Sequence, residues 1–127
     1  MSAPPRRFPI RFTGANRTMG LIGMTRPRCY VEVDAQVVRV RMGWAFGADI
    51  PRSSVRTATN DHDRVLGWGV HGWRGKWLVN GSSSGIVRIE IDPPHLAKVL
   101  AFPVRLGVLR VSVEQPEELI ADLTTDR

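Results

Sequence analysis

Residues 104–123 read VRLGVLRVSVEQPEELIADL, and this stretch decides the fold because it predicts a β-strand followed by one short helix. The apolar residues of the strand form two alternating sets of opposite parity: Val104, Leu106 and Val108, then Leu109, Val111 and Val113. Successive side chains of a regular strand point to opposite faces, so the two sets would lie on different sides. A β-bulge near Gly107 would bring both sets onto one face.

The second half of the stretch predicts the helix. Pro116 suits the first helical position, and Glu117 and Glu118 follow it where the helix dipole favours acidic side chains. The apolar stripe of this helix consists of Leu119, Ile120 and Leu123. Because so short a helix is marginal by itself, we expect the stripe to pack onto the sheet.

Upstream, alternating apolar and polar residues predict short strands at 8–12, 30–34, 37–42, 46–51, 54–59, 76–80 and 86–91. Residues 30–34 and 37–42 form the clearest hairpin, with Arg39 and Arg41 facing water. A second hairpin is predicted for residues 76–80 and 86–91, which are joined by the loop GSSSG. Pro9 places the first strand at a sheet edge, since proline cannot donate to a neighbouring strand.

Two further segments are less regular. Asp92-Pro93 can begin a helix, and Leu96, Val99 and Leu100 have helical spacing, so residues 92–100 allow a helix of fewer than two turns. Trp44 lies in the turn Gly43-Trp44-Ala45 that follows the strand at 37–42, and we expect its side chain to belong to the core.

Composition favours a single folded domain. The chain has 127 residues, of which 43% are hydrophobic and 24% charged. The lone cysteine, Cys29, excludes an internal disulfide and a multi-cysteine metal site, and its apolar neighbours predict a buried strand position. The sequence has no run of ~20 apolar residues that could span a membrane and no apolar signal region after the basic N-terminus, so we expect a cytoplasmic protein.

About seven short antiparallel strands followed by one C-terminal helix is the element order of the pleckstrin-homology (PH) superfold. Residues 105–120 resemble the end of bacterial PH-like domains, and the segment FGADIP at 46–51 resembles another part of them. In element order the resemblance covers residues 29–123. It implies a mainly β domain over residues 29–127, a bent antiparallel sheet or barrel with the helix at one end. The basic segment at 1–28, with its edge strand, and the tryptophan-rich insertion depart from the simplest bacterial PH pattern. Neither resembling segment carries catalytic residues.

The net charge of +6 is concentrated at the N-terminus. Six arginines precede the first acidic residue, Glu32, and the other twelve basic residues balance the twelve acidic ones. One interpretation is a solvated surface. The other is contact with nucleic acid or another anion, for which the candidates are Arg6, Arg7, Arg11 and Arg17.

Residues 67–77, GWGVHGWRGKW, contain four glycines and three tryptophans. Aromatic faces beside cationic side chains can hold a headgroup, an anionic ligand or a stacked base. The candidate ligand-binding residues are Trp68, His71, Trp73, Arg74, Lys76 and Trp77. Alternatively, the tryptophans close the open end of a small barrel, and this structural interpretation is the one we favour.

No catalytic motif is present: the sequence has no nucleophile elbow, no P-loop and no local spacing of metal ligands. We therefore predict no catalytic residue, metal or cofactor, and expect a non-catalytic PH-like binding module. The alternatives are sequence-independent nucleic-acid binding through the N-terminal segment, and a small-ligand barrel or enzyme that uses residues 67–77. A protein partner or second copy could add a strand at a sheet edge near Pro9 or Ile50.

Overall fold

The computed structural model describes residues 5–11, 28–61, 69–73, 75–80 and 84–124, with only the backbone described for 69–73 and 80. This part of the chain is mainly β and ends in one α-helix. Its strands are β1 (Arg6–Pro9), β2 (Cys29–Val33), β3 (Val37–Met42), β4 (Phe46–Pro51), β5 (Val55–Asn60), β6 (Gly69–Trp73), β7 (Lys76–Asn80), β8 (Ile86–Val99) and β9 (Phe102–Ser112). The helix is α1 (Pro116–Thr124), and a 3-10 turn at Arg52–Ser54 joins β4 to β5.

All nine strands belong to one curled sheet: eight follow the order β1-β2-β3-β4-β8-β9-β7-β6, and β5 lies off this path and pairs with β8. The long strand β8 pairs with β5 through its first half and with β4 through its second half, while β9 runs along its other side. Ile10, just after β1, bridges Val113, just after β9, and the Arg11 N–H donates to the Ser112 carbonyl at 3.0 Å. The end of β1 therefore meets the end of β9, although four strands separate them in the sheet order.

The concave side of this sheet and α1 enclose the core. As the sequence predicts, Leu119 and Leu123 are buried and Ile120 packs against the core cluster. The helix lies against β5 and β8. No helix within the described ranges is long and apolar enough to cross a membrane.

The predicted hairpin of β2 and β3 is confirmed. Its inward residues Val38, Val40 and Met42 are fully buried, whereas Arg39 and Arg41 lie on the outer face. Cys29 is buried at the start of β2, and burial raises the pKa of its thiol to about 11.

The turn of this hairpin is organised by Asp34. Its carboxylate accepts a hydrogen bond from the Arg39 guanidinium at 2.8 Å and from the backbone N–H groups of Gln36 and Val37 at 2.7 Å each. The bond from Arg39 contributes most to lowering the pKa of Asp34 to about 2, with the two backbone bonds next. An Asx-type turn thus closes the hairpin.

The bulge predicted near Gly107 is also confirmed. The N–H groups of Gly107 and Val108 both donate to the Gly75 carbonyl, at 2.8 and 3.0 Å. Two successive amides directed at one carbonyl are typical of a β-bulge. As a result, Leu106 and Leu109 are both buried despite their opposite parity.

The second predicted hairpin is wrong. β7 and β8 are not neighbours, because β9 lies between them and pairs with β7 in parallel and with β8 antiparallel. The polar GSSSG loop is typical of a hairpin, but the pairing is decided by β9, which occupies the edge of β8 that β7 would need.

The helix that residues 92–100 allow does not form. Residues 92–99 continue β8, with Ala97 buried and its neighbours Leu96 and Lys98 exposed. The backbone groups of residues 97–99 pair with β4 on one side and with β9 on the other, which outweighs the helical spacing of the leucines.

The predicted core position of Trp44 is a third error, since 57% of this residue is exposed. It lies in the turn between β3 and β4, beside Gly43, which has a φ of 52°. The turn carries the side chain beyond the end of the core.

β1 lies in the basic N-terminal segment 1–28 and pairs with β2 in the same sheet as the rest of the domain. It ends the sheet order, as predicted for a strand that contains Pro9. The Pro9 carbonyl, however, accepts the Glu114 N–H at 3.0 Å. Near Ile50, the second sheet edge named above, β4 pairs with β3 on one side through Ile50 and Val38. On its other side the pairing of β4 with β8 ends at Ala48, before Ile50 is reached.

Candidate functional site: an apolar surface at two hairpin tips

The structure describes only part of the tryptophan-rich segment at 67–77. Trp68 and Arg74 lie outside the described residues, and His71 and Trp73 lie on β6, where only the backbone is described. β6 and β7 form a tight hairpin at the end of the sheet order, with Trp73 opposite Lys76 and Gly72 opposite Trp77.

Two candidates of this segment have described side chains. Lys76 is exposed, whereas Trp77 is half-buried against the core, and its Nε1–H donates to the Arg105 carbonyl at 3.2 Å. The indole N–H is the polar group that a partly buried tryptophan must satisfy, and a neighbouring strand satisfies it. For Trp77 this contact supports the structural interpretation.

Three described N-terminal arginines, Arg6, Arg7 and Arg11, each contact their own chain. Arg6 lies 3.5 Å from the Glu118 carboxylate, and its guanidinium is 5.1 Å from the centroid of the Phe8 ring. Arg11 donates to the Ser84 hydroxyl at 3.0 Å.

Arg7 lies closer to its acidic and aromatic partners than Arg6 does to Glu118 and Phe8. It donates to the Glu32 carboxylate at 2.7 Å and lies 3.8 Å from the centroid of the Tyr30 ring. Arg17 lies outside the described residues. A phosphate would have to compete with these internal partners for the first three arginines.

The most distinctive surface lies elsewhere and was not predicted as a site. Within the described ranges the exposed large apolar residues are Trp44 at 57%, Leu96 at 71%, Leu100 at 53% and Phe102 at 73%. Trp44, Leu100 and Phe102 belong to two adjacent turns, since the Leu100 N–H donates to the Ala45 carbonyl at 3.0 Å. Leu96 lies farther back, on the outer face of β8.

Basic residues surround these turns. Lys98 precedes the turn between β8 and β9, and Arg105 follows it. The Arg28 carbonyl accepts the Gly43 N–H at 2.9 Å, which places Arg28 beside Trp44. All three are exposed, and none forms an ion pair with another residue of the described ranges. We call Trp44, Leu100, Phe102 and these three cations the hairpin-tip surface.

The turn between β8 and β9 is strained. Val99 pairs with Phe102, so the loop has only two residues, Leu100 and Ala101, with φ values of 50° and 70°. Two-residue hairpin loops of this kind strongly prefer asparagine and glycine, because a left-handed backbone costs other residues roughly 1 kcal/mol each. An exposed leucine in such a turn therefore lowers stability, which suggests that its side chain has another role.

Replacing Leu100 by Asn together with Ala101 by Gly should stabilise the domain. The new pair suits the left-handed geometry, so we expect a gain of roughly 1–2 kcal/mol in the free energy of unfolding and a melting temperature several degrees higher. Thermal and urea unfolding of the purified double variant would measure this. A lower melting temperature would show that the Leu100 side chain stabilises the fold.

Comparison with protein families, curated proteins and solved structures finds no match for this chain. The PH-like resemblance of the two sequence segments therefore stays a prediction. What the protein does has to follow from the surface and its chemistry.

Two grooves that flank the sheet are lined by residues of the described ranges. One of about 370 Å³ lies on the outer face, where Leu96, Lys98 and Pro103 border Gly47 and Asp49. The Asp49 carboxylate accepts the Arg41 guanidinium at 2.7 Å.

The other groove, of about 440 Å³, lies near the start of α1 and carries charges of both signs, among them Arg11, Asp61 and Glu117. Neither groove is lined by a residue of the tryptophan-rich segment or by an apolar residue of the hairpin-tip surface. The small-ligand alternative thus gains no support from these two cavities.

A serine and a histidine meet at the corner between β4 and β5. The Ser54 Oγ lies 3.1 Å from the His95 Nε2, although 41 residues separate them. A hydroxyl beside an imidazole can become a nucleophile, but Ser54 is only 4% exposed and lines neither of the two grooves. Within the described ranges no group of three His, Cys, Asp or Glu residues could hold a metal ion.

Sequence reasoning missed the hairpin-tip surface for identifiable reasons. Trp44 was assigned to the core, and Leu96 and Leu100 to a helical stripe. The available signal was the run Leu100-Ala101-Phe102, which joins two strands without a glycine or asparagine.

Proposed function

We propose that this chain is a non-catalytic, PH-like interaction module of the cytoplasm, and that it docks through its hairpin-tip surface. One observation carries the proposal: three large apolar side chains, each more than half exposed, project from two adjacent turns, and Leu96 is the other exposed large apolar residue of the described ranges. Clustered exposed apolar groups with a polar rim mark interaction sites. Their burial by a partner would offset the cost of keeping them in water.

The catalytic alternative has weaker support. The Ser54–His95 pair is a buried contact that joins the corner between β4 and β5 to the second half of β8. A nucleic-acid phosphate at Arg7 would share the guanidinium with Glu32 and Tyr30. The hairpin-tip cations have no such ion-pair partner within the described ranges.

The proposal is tested with the double variant Leu100→Ser/Phe102→Ser, since both side chains are mostly exposed and the fold should survive. Wild type and variant are compared with three probes: phospholipid vesicles by co-sedimentation, displayed random peptides by enrichment, and the chain itself by sedimentation velocity. We expect wild type to bind at least one probe, and the variant to bind it about tenfold more weakly or worse. Binding of no probe, or equal binding by a variant with an unchanged melting temperature, would overturn the proposal.

A further inference from the structure

We infer that the groove on the outer face of the sheet binds a small, planar aromatic anion, with its ring stacked on the Arg41 guanidinium and its negative charge paired with Lys98. This site goes beyond the proposed function, and none of its lining residues belongs to residues 67–77. The groove has a volume of about 370 Å³, which falls within the range of about 300–1,000 Å³ typical of small-molecule sites.

The floor of the groove lies where three strands each present one residue to the outer face. Gly47 on β4 pairs with Arg41 on β3 and with Lys98 on β8. Directly paired residues of neighbouring strands lie on the same face, and the strands are about 4.8 Å apart. Arg41 and Lys98 therefore flank Gly47 with about 10 Å between their backbones. Because Gly47 has no side chain, the space above it is open to a ligand.

Arg41 offers a flat surface in this space. Its side chain lies over the neighbouring strand, since a Cβ added at Gly47 would be 3.7 Å from the Arg41 Cδ and 3.9 Å from its Nε. Its Nη1 donates to the Val40 and Ala48 carbonyls at 2.9 and 3.0 Å, and its Nη2 donates to the Asp49 carboxylate at 2.7 Å. Hydrogen bonds of a guanidinium lie along the edge of its plane. They hold the plane in position and leave its faces for a stacked ring.

Apolar and cationic groups border the rest of the groove. Leu96, which is 71% exposed, lines it from β8, and Pro103 lines it from β9. Lys98 pairs with Pro103 across these two strands, so the ammonium group stands beside an apolar wall. Lys98 is exposed and has no ion-pair partner within the described ranges. An apolar wall suits the edge of a ring, and an ammonium group without a carboxylate partner suits an anion.

The acidic residue of the groove does not oppose this ligand. Among the described lining residues Asp49 is the only acid, and its carboxylate is bonded to Arg41. Asp49 lies two residues along β4 from Gly47, about 7 Å by the strand rise, whereas Lys98 lies directly opposite Gly47. An anionic group at Lys98 and a ring above Gly47 therefore fit together at one end of the groove.

The same residues disfavour other small ligands. An aliphatic anion would pair with Lys98 but would not stack on the guanidinium plane, and an aromatic cation would face two positive groups. Two classes of molecule share the required chemistry. Aromatic carboxylic acids are one, and nucleoside monophosphates, with the base as the ring and the phosphate as the anion, are the other.

The test is a titration of the isotope-labelled protein followed by NMR, with naphthoate and adenosine monophosphate as the two probes. At least one should bind with a Kd of about 1 mM or tighter, the affinity expected for ligands of this size. The amide signals of Gly47 and Lys98 should shift most. Octanoate, which lacks a ring, and naphthylmethylamine, which lacks the negative charge, should bind about tenfold more weakly or worse.

Three variants remove one part of the site each. Arg41→Lys keeps the charge but removes the plane, and should lower the affinity for the better-bound probe about fivefold or more. Lys98→Gln removes the partner of the anion and should have an effect of about the same size. Gly47→Val fills the space above the glycine and should lower the affinity about tenfold or more.

Two control variants match these changes outside the groove. Arg88→Lys alters another ion-paired arginine on β8, and Arg56→Gln removes an exposed cation from β5. Neither residue lines the groove, so both variants should bind within about twofold of wild type. Lys98→Gln and Gly47→Val should melt close to the wild-type temperature. They therefore test the site even if Arg41→Lys, which loses several hydrogen bonds, fails to fold.

Binding of naphthoate alone supports a site for aromatic carboxylates, and binding of adenosine monophosphate alone supports a site for nucleotides. Four results would overturn the inference: neither probe binds in the millimolar range, octanoate binds as tightly as the better probe, a folded variant of Gly47 or Lys98 binds as well as wild type, or the largest shifts occur at Trp44, Leu100 and Phe102. The last result would place the ring on the hairpin-tip surface.

Discussion

Leu119→Ala should lower the free energy of unfolding by about 2–5 kcal/mol, a large part of the ~5–15 kcal/mol expected of such a domain. Leu119 is fully buried within the core, on a helix of nine residues. So short a helix depends on packing, and the substitution leaves a cavity at the point where α1 meets the sheet. Urea unfolding followed by circular dichroism measures the loss.

Glu117→Ala provides the matched control, since Glu117 lies on the exposed side of the same helix. Its loss removes one favourable contact with the helix dipole and should cost less than about 1 kcal/mol. Deletion of residues 114–127 extends the test, because it removes the helix and should yield a chain that no longer unfolds cooperatively. A truncated chain that melts at the full-length temperature would show that α1 is not part of the core.

The sequence predicts those elements whose pattern is local. The stretch 104–123 carries its own alternation, its own bulge-forming glycine and its own helix start, and the structure has β9, the bulge at Gly107 and α1 there. β3 and β4 are likewise predicted with their observed bounds. In each case neighbouring residues supply the deciding interactions.

The errors arise where distant strands decide. β7 and β8 look like a hairpin because a turn-forming loop joins them, but β9 competes for the same edge of β8 and obtains it. Residues 92–100 look helical because the leucines repeat, but two flanking strands satisfy the backbone of residues 97–99 in an extended form. Neither competitor can be recognised from the local pattern.

The candidate site was missed for the same physical reason. Exposure of Phe102 depends on how far the β8–β9 hairpin extends beyond the core, and the exposure of Trp44 depends on the adjacent turn. The excess of positive charge in the N-terminal segment can be recognised directly from the sequence. Arg6, Arg7 and Arg11 of this segment nevertheless have partners on the folded chain, while the cations of the hairpin-tip surface, Arg28 of the same segment with Lys98 and Arg105, lie far apart in the sequence.

Gly85→Ala is the second substitution with a large expected effect. Gly85 precedes β8 with a φ of 71°, and a Cβ added there would lie 2.6 Å from the Val113 carbonyl oxygen. The Gly85 carbonyl accepts the Val113 N–H at 2.9 Å, so the two backbones cannot separate without loss of this bond. Val113 is also the residue that Ile10 bridges, where the end of β1 meets the end of β9.

Two energetic costs therefore add when Gly85 is replaced by alanine. The same substitution at two other glycines distinguishes one cost from the other. The left-handed backbone costs alanine about 1–2 kcal/mol, and displacing the Val113 carbonyl adds about 1–3 kcal/mol, so we expect a loss of roughly 2–5 kcal/mol. Gly75 has a φ of 82°, but its added Cβ would lie 3.6 Å from the Arg105 carbonyl oxygen, an ordinary contact. Gly75→Ala should thus show the conformational cost alone.

Gly47 has neither problem, because its φ is not left-handed and its added Cβ would lie 3.7 Å from the flexible Arg41 side chain. Gly47→Ala should change the free energy of unfolding by less than about 1 kcal/mol, since alanine reduces the entropy of the unfolded chain. Urea unfolding of the three variants should therefore rank their losses as Gly85, then Gly75, then Gly47. If Gly85→Ala costs no more than Gly75→Ala, the close approach of Gly85 to Val113 does not hold the end of β9 in place. The contact between β1 and β9 then depends on the Ile10–Val113 bridge and the backbone bonds beside it.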